Sequence, residues 1–106
     1  MLCCGNDKMA LRVYGILRSM GRRVPSEISV AGDDNYRVIA ETLYPPLTTV
    51  GLPDVVMGLR AAHAIDFRGN PGREGLTLVA GPVDWRASAA EMRLANISHL
   101  KTVRDE

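Results

Sequence analysis

The spacing of apolar and polar positions changes several times along the chain. Leu2 to Cys4 form a short apolar run that predicts a strand over residues 1–4, and Gly5-Asn6-Asp7 follows as a turn. From Lys8 to Met20 the apolar residues Met9, Val13, Ile16, Leu17 and Met20 recur at helical spacing, with Arg12, Arg18 and Ser19 off the stripe. Asn6 or Asp7 suits the helix N-cap, Gly21 suits the position just past its end, and Arg22 and Arg23 complement the negative end of its dipole. Ile28, Val30 and Gly32 share one face of the next strand, and Ser29 and Ala31 share the other. Small and apolar residues on both faces suit the middle of a parallel sheet.

A short amphipathic helix is predicted within Asp33–Leu43, with Val38, Ile39 and Leu43 as its apolar side. Pro45-Pro46 forbids helix, and Leu47 to Val50 reads as a third strand. Pro53 suits the first turn of a second long helix running to Phe67, with Val56, Leu59, Ala62 or His63, and Ile65 or Phe67 as its apolar residues. Arg68 to Gly75 reads as a loop. Leu76, Leu78 and Ala80 alternate with Thr77 and Val79, which predicts a strand over 76–80. Gly81-Pro82 is a turn, Val83 to Arg86 is extended, and a helix is predicted from Ser88 onward, with Thr102 to Glu106 fraying at its end. The order β-α-β-α-β-α-β predicts an α/β fold with a mainly parallel sheet flanked by helices.

A chain of 106 residues holds one domain at most, with a modest core. The start cuts into a strand, so a fragment is expected. The net charge of +1 offers no basic excess for nucleic acid. Cys3 and Cys4 are adjacent, which disfavours a mutual bridge, and no C-x-x-C spacing exists for zinc or redox chemistry. They read as buried strand residues in a reducing cytoplasm, with a reactive thiol as the alternative. No apolar run reaches the roughly 18 residues of a membrane span, and the first residues do not resemble a signal peptide.

Ligands of open parallel sheets sit beyond the carboxyl ends of the strands. Asn6 and Asp7 follow the first strand, and Asp33, Asp34 and Asn35 follow the second. If those strands are neighbours, an amide and a carboxylate converge on one crevice, a pairing that suits vicinal hydroxyls. The plain structural alternative is that Asn6 and Asp34 cap helices. Asp33 and Asp34 cannot point the same way. Catalytic signals are weak: His63 and His99 lie far apart, and no nucleophile elbow or metal-ligand spacing occurs. His63 reads as a packed histidine. Gly69, Gly72 and Gly75 lack both phosphate-binding glycine patterns. Trp85, the only tryptophan, reads as a core residue or as a ring stacked on a ligand.

Three segments together resemble the LacI/GalR-type transcription regulators: "CGNDKMALRVYGILRSMGRRVPSEISVAGDDN", "YPPLTTVGLPDVVMGLRAA" and "LVAGPVDWRASAA". The family patterns are N-D-x-x-A, then V-P-x-D-I-S-V-V-G-aromatic-D-D, then P-P-L-T-T-V, and L-V-x-R-x-S. The resemblance covers most of residues 3–90. It implies part of one lobe of a periplasmic-binding-protein-like sensor, in which two α/β lobes close on a small effector, usually a sugar or nucleobase-like metabolite, and no cofactor is expected. It assigns ligand contact to Asn6 and Asp34, and helix capping to Asp7. Asp33, Leu52, Asp54 and Trp85 become candidates for the pocket wall. Asp33 stands where the family has an aromatic ring, and Asn35 where it has a second acid. Leu52 and Asp54 stand where some members carry polar or aromatic ligand contacts. With no helix-turn-helix in the sequence, direct DNA binding is not expected. A homodimer or domain-swapped oligomer is expected, through the Pro53–Phe67 helix and the "PPLTTV" strand. The alternatives are a remnant that dimerises without a ligand and a small flavodoxin-like enzyme.

Overall fold

The computed structural model describes residues 1–65 and 76–91. The elements run β1 Leu2–Cys3, α1 Asp7–Ser19, β2 Val30–Asp34, α2 Arg37–Ala40, β3 Thr48–Gly51, α3 Asp54–Ile65 and β4 Val83–Asp84. They build one sheet in the order β1-β2-β3-β4. The first three strands are parallel, with Cys3 opposite Ala31 and Asp34 opposite Gly51. β4 runs antiparallel to β3, with Val50 opposite Val83 and Thr49 opposite Asp84. β2 is therefore an interior strand, as its two-sided small and apolar character predicts.

Local chemistry sets both ends of α1. Asn6 is extended, and its side-chain oxygen accepts from the Met9 N–H at 2.8 Å. At the other end Gly21 takes φ 68°. Its N–H donates to Arg18 O and the Arg22 N–H donates to Leu17 O, the paired bonds of a Schellman closure.

The core joins Ala10, Tyr14, Leu17, Val30, Ala40 and Leu47. The helix thus turns a different stripe inward from the one its larger apolar residues suggest. Met9, Ile16 and Met20 are 54%, 58% and 63% exposed. Asp7, Ala10, Tyr14 and Leu17 also recur at helical spacing, and all four are buried. Small Ala10 lets the helix approach the sheet, and the Tyr14 hydroxyl finds an acceptor in Pro45 O at 2.8 Å. Periodicity alone cannot choose between two apolar stripes on one helix.

Other expectations are corrected. Residues 76–80 form no strand, and Leu76 and Leu78 are exposed. The place beside β3 belongs to Val83–Asp84, and the alternating run pairs with no strand among the described residues. Ser88 opens no helix through Glu91. It is buried between β2 and β3 at their starting ends. Its hydroxyl donates to Val30 O at 2.6 Å and accepts from the Thr48 N–H at 2.7 Å. Its backbone bonds Val30 N–H and Pro46 O, so one residue bridges both strands where they splay. Cys3 is exposed and Cys4 only half-buried, both free thiols, because β1 is a two-residue edge strand. His63 is exposed, since no residue of α3 is buried. Within the "PPLTTV" segment Leu47, Thr48 and Thr49 are buried, because β3 lies between β2 and β4, while Pro45, Pro46 and Val50 are half-buried. Phe67, the Arg68–Gly75 loop, His99, and the helix and frayed tail predicted beyond Glu91 lie outside the described residues.

Gly32 sits where α1 crosses β2. A Cβ there would collide with the Asp7 carboxylate and stand 2.9 Å from Leu47 Cδ2. Gly32→Ala is expected to destabilise the domain by about 1–3 kcal/mol through overpacking, read as a lower urea midpoint at unchanged slope.

Candidate functional site

The parallel arrangement brings the carboxyl ends of β1, β2 and β3 to one rim. Gly5 and Asn6 leave β1, Asp34 and Asn35 leave β2, and Leu52 and Asp54 leave β3. Beneath this rim lies Asp7, fully buried. The Thr49 hydroxyl donates to Asp7 Oδ1 at 2.7 Å, and the Tyr36 N–H donates to Asp7 Oδ2 at 2.8 Å. Asp7 is thus an internal acceptor joining α1, β3 and the entry to α2, and Asn6 is the cap. Burial pushes the Asp7 carboxyl above its ordinary range; the Thr49 and Tyr36 bonds pull it down, and neighbouring Asp34 adds to the rise.

Asp34 has φ 97° and Asn35 has φ 46°, two successive left-handed residues without glycine. Such backbone persists only where the surroundings hold it. The Tyr36 N–H reaches Asp34 Oδ1 at 3.3 Å as well as Asp7. The Asn35 N–H donates to Thr49 Oγ1 at 3.2 Å. Its side-chain amide donates to Asp84 Oδ2 at 2.8 Å and accepts from Arg86 Nη2 at 3.1 Å. Arg86 also donates to Leu47 O at 2.9 Å. Asn35 is therefore a latch to the β4 segment, which frees Asp34 to face the rim.

The other sequence candidates are distributed unevenly. Asn6 lies at the rim with its oxygen engaged in the cap, so its NH₂ is the end that can meet a ligand. Asp33 is exposed and turned to the opposite face of β2, its Oδ1 accepting from the Asp34 N–H. Leu52 is exposed just past β3, and Asp54 opens α3. Trp85 is 73% exposed and is no core residue. Because β4 is antiparallel, Trp85 lies past Asp84 toward the starting ends of the strands, beside Met1 and Ala89–Glu91. Sequence reasoning gave no role to Thr49, Asp84, Arg86 or Ser88. Arg86 and Ser88 stand in the matched L-V-x-R-x-S segment, which was the available signal.

A mostly parallel sheet flanked by helices, with polar residues gathered at its carboxyl rim, defines an α/β fold class. Comparison with known proteins sharpens this. Residues 2–89 match the periplasmic binding protein-like domain, and the chain belongs to that family as an effector-binding domain of the LacI/GalR regulator type. It is 41% identical over 91 residues to the sucrose operon repressor of Escherichia coli, covering 83% of this chain and 26% of the repressor. A LacI-family regulator from Rhizobium etli superposes with a TM-score of 0.68 at 32% identity, covering 84% of this chain and 32% of that one. The regulator CelR in complex with cellobiose gives 0.66 at 32% identity, covering 82% and 27%. The chain thus spans about a quarter of the length of the curated relative it matches. These relatives are transcriptional regulators, not enzymes.

The raised Asp7 value has a definite consequence for pH. The folded state holds this proton more tightly than the unfolded chain, so the associated stability is full below the ordinary carboxylate pKa of about 4 and is lost as pH rises through the native value. Asp7→Asn is expected to flatten that fall, measured by urea unfolding at a series of pH values from 3 upward. Asp7→Ala instead leaves the Thr49 hydroxyl and Tyr36 N–H without their acceptor, and should cost about 1–3 kcal/mol for each group.

Proposed function

We propose that this chain is part of the effector-sensing domain of a LacI/GalR-type transcription regulator, and that Asn6 and Asp34 hold a sugar-like metabolite at the rim. The observation that carries the reading is the convergence of the β1 and β2 carboxyl ends, with Asp34 kept in a left-handed conformation above the buried Asp7. A carboxylate beside an amide both accepts from and donates to neighbouring hydroxyls. Leu52 and Asp54 flank the same rim from the end of β3; Asp33, on the other face, and Trp85, near the strand starts, contribute less in this reading. Chain segments that full-length relatives possess supply the opposite wall of the pocket and the operator contacts, and a cytoplasmic location follows from that role. The chain itself performs no catalysis and binds no DNA directly.

The test is a thermal-shift series on the full chain with sucrose, cellobiose and a panel of other sugars and nucleosides. A ligand at 100 times its dissociation constant should add about 2.7 kcal/mol of stability. Asp34→Ala should remove the shift. Absence of any shift across the panel would sink the ligand reading.

A second property rests on α3. None of its 12 residues is buried, and Val55, Val56, Leu59 and Ile65 present apolar surface. A helix this apolar needs a cover, and a second copy of the chain supplies one. Light scattering after size exclusion is expected to show a dimer at micromolar concentration, and Leu59→Glu to shift it toward monomer. A folded wild-type monomer under these conditions overturns this interface.

A further inference from the structure

We propose that a groove at the end of the domain opposite the rim docks an acidic peptide segment of a partner protein. The groove has a volume of about 480 Å³ and lies among the last turn of α1, the 21–26 connection into β2, and the Tyr44-Pro45 corner before β3. α1 joins the two ends of the domain: its first residue, Asp7, underlies the rim, and Leu17 and Arg18 line the groove. Thirteen helical residues place these ends about 20 Å apart.

The floor is apolar and the edge is cationic. Leu17, Val24 and Pro45 form the floor, and Tyr14 is anchored beside it through its bond to Pro45 O. Tyr44 is 85% exposed and stands free beside the groove. Arg18, Arg22 and Arg23 edge it, and no lining residue is acidic. Glu27 is the carboxylate that approaches this group, at 3.6 Å from Arg22 and 3.8 Å from Arg23. The α1 C-terminus contributes about half a negative charge, so an excess of roughly one and a half positive charges remains.

This excess is complementary in sign to an acidic ligand. Guanidinium groups pair two-pronged with carboxylates, and aromatic and arginine side chains are the usual anchors of protein interfaces. A small metabolite site encloses most of its ligand, roughly 70–90%. This groove is only partly enclosed, which suits a chain carrying its own cover: one apolar anchor on the floor, with acidic residues flanking it. The feature is independent of the sugar site, since it shares no lining residue with the rim.

The experiment is fluorescence anisotropy of the full 106-residue chain with a fluorescein-labelled peptide bearing one phenylalanine between runs of glutamate. Saturable binding that weakens as salt rises is expected. Arg18→Ala and Arg22→Ala should each lower affinity at least about fivefold, and Tyr44→Ala by a similar factor. Arg12→Ala, on α1 but outside the groove, should bind as wild type. Three results overturn the proposal: no saturable binding at 100 mM salt, equal binding of a peptide with lysine in place of glutamate, or wild-type affinity in both arginine variants. Full displacement by millimolar inorganic phosphate, with no loss when the phenylalanine is replaced by glycine, would make the groove a small-anion site instead and also overturn it.

Discussion

Asp7 is the group on which the arrangement of this domain turns. Its carboxylate starts α1, yet it accepts a hydroxyl from β3 and a backbone N–H from the segment entering α2. Burying a carboxylate is unfavourable unless its oxygens are met by donors. The two bonds meet that requirement only if α1 lies at one rotation over the sheet. That rotation puts Ala10, Tyr14 and Leu17 inward and leaves Met9, Ile16 and Met20 outside. Gly32 completes the constraint from β2, because any side chain there would occupy the carboxylate's space.

A second set of contacts ties the later part of the chain to the first. Ser88 bridges β2 and β3 where they separate, and Arg86 and Asp84 hold Asn35 from both sides of its amide. Gly81 packs so closely on the end of β3 that a Cβ there would run into the Gly51 carbonyl. The antiparallel β4 is only two residues long, so these side-chain bonds carry more of the attachment than its ladder does. Together they fix the turn that presents Asp34, and the site depends on residues about 50 positions away in the chain.

The two ends of the domain therefore differ in kind. At the carboxyl rim, polar groups are held in set directions by buried partners. At the far end, an apolar floor and unbalanced arginines sit on an open surface. α3 adds a third surface, with exposed apolar residues from Val55 to Ile65.

The sequence by itself determined the element order through α3, the Asn6 cap, the Gly21 stop, the interior place of β2 and the position of Asp34 at a strand's end. Each follows from neighbours within a few residues, where spacing and backbone preference act directly. It also carried the family, through motifs spread over most of the chain. Tertiary structure alone decided the inward stripe of α1, the role of Asp7 as an internal acceptor and the bridging by Ser88. It also decided the exposure of Trp85 and the failure of 76–80 to pair. In every one of these the deciding partner is distant in the chain. An alternating run becomes a strand only when a neighbouring strand takes up its backbone hydrogen bonds, and a carboxylate becomes structural only when donors from other elements arrive to meet it.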